Sequence, residues 1–320
     1  MKALAAFFAT VLAVLLCACG GQGSMLPKSG GRPYEVLVVS GGGDAGRMLD
    51  SILSRDAEGL PQSEPMFDVS LTDSLRFNQA ARLARNIVIV TVNPGLFTSL
   101  RIKYEKNVWA RPQMVAYVNA PSAVCIRDGL PRLGRSLADL FTRAEMNAEI
   151  ARLSVSGNAR AEAVAKDLLD CEIRIPSGMK YSKTGDGFAW FSNNAARGMQ
   201  NICVYSYPGL VLDPELALAA RDSVMMRGIP GERTGMYMRT VPGSVRCGLA
   251  KEKGRTLMIS RGLWEMRDDA MGGPFVAHSM VDSARGRVVV AEAFVYAPES
   301  RKRNLIRQSE AALYTLRIKD

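Results

Sequence analysis

No apolar run in this 320-residue chain is long enough to cross a bilayer as a helix. The longest, Ala3–Leu16, has 14 residues where a spanning helix needs roughly 20. Every later apolar run falls short of spanning length and is broken by turn residues. Beyond the first residues the chain must therefore fold as a globular body of short strands and amphipathic helices. A hydrophobic content of 48% is that of a globular chain, not a disordered one.

Lys2 followed by the run from Ala3 reads as a secretory signal peptide. Its end, Leu16-Cys17-Ala18-Cys19, resembles a bacterial lipobox. The resemblance implies cleavage before Cys19, with 1–18 removed as signal peptide and Cys19 carrying the lipid chains, palmitate among them. Cys17 is the poorer candidate, because the bulky Leu16 sits where a small residue is wanted. Several acyl chains on one residue anchor stably, since each buried CH₂ adds about 0.8 kcal/mol. After Cys19 comes GGQGSMLPKSGGRP, rich in Gly and without apolar period, so 19–33 is expected to be a flexible tether reaching roughly 20 Å. The folded body is then expected from Tyr34. Gly20 and Gly21 stand where an aspartate would retain a lipoprotein at the inner membrane. The expected location is the outer membrane, facing the periplasm, with surface exposure as the alternative.

The formal charge is +10. In that compartment the available anions are lipid headgroups, lipopolysaccharide and wall polymers, so nucleic acid is not an expected partner. Cys125, Cys171, Cys203 and Cys247 form no CxxC pair, which argues against a zinc ribbon or thioredoxin-like site. They allow three disulfide pairings, or four free thiols. His278 is the one histidine, and no Gly-x-Ser-x-Gly elbow is present. No metal or cofactor is expected.

Strands are expected at Tyr34–Ser40, Met66–Leu71, Asn86–Val92 and Met114–Val118, with Arg101–Trp109 facing the last of these as a hairpin partner. Helical spacing covers Phe77–Arg85, Ser136–Leu153 (capped by Ser136) and Ala159–Leu169. In the second half, Asp213-Pro214 opens a helix that runs to Arg227, with Leu216, Ala219, Ala220, Val224 and Met225 as core. Thr256–Ile259 and Leu263–Met266 are short strands. Val276–Val281 and Arg287–Tyr296 form a hairpin across Ala284-Arg285-Gly286. An amphipathic helix over Glu299–Arg317 closes the chain.

NIVIVTV-x-PG at 86–95 is matched by NICVYSYPG at 201–209, and VNAP at 118–121 by VYAP at 295–298. This implies two related α+β units of mostly antiparallel sheet with packed helices. The expected units are 34–172 and 173–320, the second carrying an insertion.

Four features could carry chemistry. GGGDAG (41–46) lies between a strand and a helix, the order of a dinucleotide fingerprint, but an exported protein meets no nicotinamide pool. Asp268 and Asp269 are paired carboxylates in a loop. His278 alternates with Val276 and Met280 and reads as a half-buried strand position. Arg301, Lys302 and Arg303 fall in the first turn of the last helix, where the dipole is already positive. Such a conflict suggests an anion-binding site made of helix N–H groups and basic side chains.

YEVLVV, FDVS, RNIVIV, KNVWARPQ and the span from RGLWEM to GPFVAHSMVD are similar to an uncharacterised family of Bacteroidetes lipoproteins known as a domain of unknown function. The resemblance implies an envelope location and assigns no active-site residue. The expected function is a non-catalytic binding or assembly role in the envelope, toward an anionic glycan or lipid or an envelope protein. The alternative is a periplasmic glycan hydrolase using carboxylates such as Asp268 or Asp269.

Overall fold

Residues 25–252 and 254–318 are described by the computed structural model, and they form an α+β protein of two units. The lipobox, with Cys19, and the signal peptide lie outside the described residues. In the first unit the order is β1 (Glu35–Ser40), α1 (Asp44–Leu53), β2 (Asp68–Thr72), β3 (Asn86–Val92), β4 (Arg101–Lys106), β5 (Met114–Ala120) and α2 (Ala123–Val155). The sheet order is β2-β1-β3-β5-β4. The first four are parallel, and β4 returns antiparallel on β5, as the short spacing predicts.

Helices α1 and α2 cover one face of this sheet. Alternate residues such as Val36, Val38, Val88 and Val118 meet Leu49, Leu137 and Phe141 there. On the opposite face Val39, Ile87 and Val115 are covered by loops, through Phe77 and Trp109 packed edge-to-face at 5.5 Å. The Phe77–Arg85 stretch forms only a 3-10 turn at Ala81–Leu83, because Asn78 Oδ1 takes the Ala81 amide and Phe77 is committed to Trp109.

Two boundaries differ from expectation. The tether is pinned from Pro27 onward: Arg111 N donates to Pro27 O at 2.8 Å, and Ser29 N to Arg111 O at 3.1 Å. Helix α2 begins 13 residues before Ser136, and its cap is Ser122, whose Oγ accepts from Cys125 N at 3.3 Å. Pro131 lies inside it. At 33 residues the helix is about 50 Å long. Its first part enters the first core through Ile126, Leu133 and Phe141, and its end enters the second through Met146 and Leu153.

The second unit runs α3 (Ala159–Leu169), β6 (Cys171–Glu172), β7 (Tyr181–Gly185), β8 (Phe188–Ser192), β9 (Met199–Pro208), α4 (Pro214–Gly228) and β10 (Met238–Thr240). Then follow β11 (Arg246–Glu252), β12 (Arg255–Met266), β13 (Gly272–Asp282), β14 (Arg287–Tyr296), α5 (Arg303–Leu313) and β15 (Arg317–Ile318). Its large sheet is antiparallel throughout, in the order β10-β12-β13-β14-β9-β8-β7, with β11 also on β12; β6 and β15 form a separate pair. The expected hairpin is present, with Asp282 opposite Arg287. The two short strands expected at Thr256–Ile259 and Leu263–Met266 are one, since Gly262 leaves room for Val245 and Phe275 beside it.

Both faces of this sheet are buried, which explains near-continuous apolar runs such as that of β14. Ile202, Val204, Val289 and Ala291 face α3 and α5; Cys203, Tyr205, Val288 and Val290 face the α4 side. Helix α3, expected with the first unit, packs on β8 and β9, which moves the division from residue 172 to the turn at 156–158. The repeated segments lie in sheets of opposite sense. β3 is parallel to both neighbours, and β9 antiparallel to both. Their likeness reflects shared burial at the centre of a sheet, where β-branched residues fit.

Candidate functional site

The basic triplet is turned onto the chain's own carboxylates. Lys302 N donates to Glu64 Oε1 at 2.7 Å and Arg303 N to Glu64 Oε2 at 3.0 Å, so Glu64 caps α5. Arg303, 3% exposed, reaches Asp68 Oδ2 at 2.7 Å and Pro65 O; Arg301 reaches Asp68 Oδ1 at 2.9 Å. Lys302 Nζ donates to Gln62 Oε1 at 3.0 Å and Ser300 O at 2.9 Å. Burial alone would raise Asp68, but the hydrogen bond and charge of Arg303, with Arg301, outweigh it and hold the carboxyl below its usual range. The helix start does bind an anion, as its charge predicts. That anion is Glu64, so the triplet joins the two units, with Lys302 and Arg303 buried and Arg301 exposed beside Asp68.

The same interface continues along α5. The Arg307 guanidinium lies 4.5 Å over the Tyr34 ring. Arg261 pairs with Glu310 (Nη1–Oε2 2.9 Å), and His278 Nε2 is 3.6 Å from Glu310 Oε1. Burial would raise Glu310; the Arg261 charge and the nearby imidazole bring it down to about 2. His278 is fully buried, not half-buried, with its ring edge-on to Tyr314 at 4.5 Å.

The open site lies on the other face of the large sheet, beside the C-terminal end of α4. It is a cleft of about 480 Å³ between β7–β8, the turn at Ile229–Glu232 and the β12–β13 turn. Its floor is aromatic. Trp264 stands edge-on to Phe294 at 5.4 Å and 6.4 Å from Tyr296, and Trp190 lies 6.4 Å from Phe294. Both indole N–H groups are satisfied within the protein: Trp190 Nε1 donates to Asn201 Oδ1 at 3.0 Å and Trp264 Nε1 to Val295 O at 3.3 Å. Met199, Met266 and Met271 complete an adaptable apolar lining. Gly273 makes the floor possible, since a Cβ there would lie 2.0 Å from Val295 O.

The paired aspartates separate. Asp268, in the left-handed region (φ 62°), lies 3.5 Å from Arg267 and away from the cleft. Asp269 lines the cleft, together with Glu232, which carried no sequence signal. GGGDAG forms the β1–α1 turn, with Gly42 and Gly43 at φ 98° and 79°. The four cysteines are free thiols. Burial pushes Cys171 up to about 11 and Cys203 well above its ordinary value.

Under α4 a second polar cluster is closed. Arg221, 2% exposed, forks onto Glu292 (2.7–3.1 Å), donates to Thr240 Oγ1 at 2.8 Å and lies 3.9 Å over Phe275. Tyr205 OH donates to Glu292 at 3.2 Å. Leu216, expected as core, is instead exposed, and Arg221 takes the buried stripe with Val224 and Met225.

Fold and site thus define a two-unit α+β protein with an aromatic cleft on the larger sheet. Residues 29–154 match the family model "Domain of unknown function (DUF8532)" and residues 158–315 match "Domain of unknown function (DUF4837)". No curated protein matches the chain. Among solved structures, the Ran-binding protein Mog1p of Saccharomyces cerevisiae is similar at 12% identity and TM-score 0.30, over 46% of this chain and 89% of that one. A point mutant of Mog1 gives 13% and 0.29, over 47% and 91%. A protein of Bacteroides thetaiotaomicron gives 12% and 0.28, over 47% of this chain and 45% of that one.

Proposed function

We propose that this chain is a non-catalytic binding lipoprotein of the cell envelope, anchored through Cys19 at the outer membrane and facing the periplasm. Its ligand sits in the cleft floored by Trp190, Trp264, Phe294 and Tyr296. The cleft carries the reading: a half-open hollow with aromatic walls and a few polar groups at its edge is the usual form of a small-ligand site. The lipobox and the Gly-rich segment after it support the anchor. The anionic partner foreseen for Arg301, Lys302 and Arg303 is not retained, because Glu64 and Asp68 occupy those groups.

Two measurements test this reading. Lipid labelling is expected for the full chain and lost in Cys19→Ala; labelling that persists removes the anchor. Tryptophan fluorescence is expected to respond saturably to a ligand, with loss of affinity in Trp190→Ala. The glycan-hydrolase alternative keeps one observation, the presence of Glu232 and Asp269 in the same cleft. Turnover of a cell-wall glycan, abolished in Glu232→Gln, would replace the binding role with that one.

A further inference from the structure

We propose that the ligand of the cleft is an organic cation, an alkylammonium group with an apolar flank. This rests on the cleft being the binding site and adds its charge preference. Glu232 and Asp269 both line the cleft, and neither forms an ion pair among the described residues. The cation in the lining, Lys183, donates its Nζ to Gly228 O at 3.0 Å. With the charge of Lys183 counted, the lining carries a formal charge of −1 within a chain of net charge +10. An anion entering it would meet two carboxylates.

The aromatic groups point to the same chemistry. With its N–H satisfied inside the protein, the half-buried Trp190 has only ring surface to offer, beside the rings of Tyr181 and Tyr296, while Trp264 is almost fully covered. Ring faces and carboxylates together attract an ammonium ion, by the ring quadrupole on one side and by charge on the other. Ser182, Ser192 and Asn194 also line the cleft and offer hydrogen bonds to a sugar's hydroxyls, so a neutral oligosaccharide is the ligand class the test must separate from a cation. The ammonium could be a free small molecule or a lysine-type amine on a peptide; the chemistry recognised is the same.

The test is a fluorescence titration of the purified full-length protein with choline and with 3,3-dimethylbutan-1-ol, its uncharged isostere. A lysine-containing peptide amide and a neutral chito-oligosaccharide complete the set. Choline is expected to bind at least tenfold more tightly than the isostere. That ratio should fall toward one in the double variant Glu232→Gln, Asp269→Asn, whose sites are exposed and leave the fold intact. Tighter binding of the peptide amide, lost in the same variant, supports the proposal and assigns the amine to a peptide. Equal binding of choline and isostere, or a preference that survives the double variant, overturns it. If only the oligosaccharide binds, in a Trp190-dependent way, the cation is wrong and the binding role stands. If no probe binds, both fail.

Discussion

Glu64 and Arg303 are 239 positions apart in sequence, yet the Arg303 amide donates to the Glu64 carboxylate at 3.0 Å. With the neighbouring bond from Lys302, one side chain of the first unit caps the last helix of the second. Glu64→Ala leaves two buried amides without an acceptor. It is expected to cost about 2–4 kcal/mol, as lost caps and unmade buried hydrogen bonds do. Glu64→Gln keeps one acceptor oxygen and should lose roughly half as much. Urea midpoints of the two variants check this, and an unchanged midpoint for the alanine would mean that water replaces the cap.

Acid should weaken the packing of α5 on its own sheet. Glu310 is held at about 2 in the folded protein, against an unfolded value near 4.5. A depressed carboxylate contributes stability above its unfolded pKa and loses it as pH falls toward the folded one. The contribution is on the order of 3 kcal/mol, fully present above about pH 5 and fading toward pH 2. In Glu310→Gln the melting temperature should be lower at neutral pH, and the gap from the parent should close on acidification. A gap that stays constant from pH 6 to 3 would contradict the assignment.

The Arg221–Glu292 pair is buried on both sides, with 2% and 0% of each side chain exposed. Removing one partner leaves a charge without compensation, so Arg221→Met should cost about 3–5 kcal/mol. The double variant Arg221→Met, Glu292→Leu should recover most of that loss. Chemical denaturation around this double-mutant cycle measures the coupling, and additive losses would show the pair to be independent.

Gly273 lies where a methyl group would press on Val295 O and come within 3.3 Å of Trp264 Nε1. Gly273→Ala is expected to destabilise by about 1–3 kcal/mol, as overpacking does, and to alter the near-ultraviolet signal of Trp264. Gly248→Ala, on β11 with nothing within 4 Å of the added carbon, is the control and should be close to neutral. Equal effects at the two positions would remove the steric explanation.

The sequence was most legible where burial writes a period. β3, β5, β14, α3 and the Asp213-Pro214 helix start stand where alternation, apolar runs and capping residues put them. It was least legible where one residue serves a distant partner. Glu64 looks like any surface glutamate, and nothing near residue 301 announces that the basic triplet meets it. Arg221 reads as the polar face of α4 until Glu292 is placed opposite, and Leu216 then reads falsely as core. The cleft was barely visible: Asp269 stood out as a loop carboxylate, whereas Trp190, Trp264 and Glu232 come together with it only through strand order.

The two family models part company at residues 154 and 158, at the end of α2. The division of the fold falls at the same turn, yet the helix before it lends Phe141 to one core and Leu153 to the other. A fragment cut at the sequence boundary would carry bare methionine and leucine into water, and its counterpart would lack part of its wall. Two sequence families thus share one continuous helix of about 50 Å, and each core is closed only while that helix is whole.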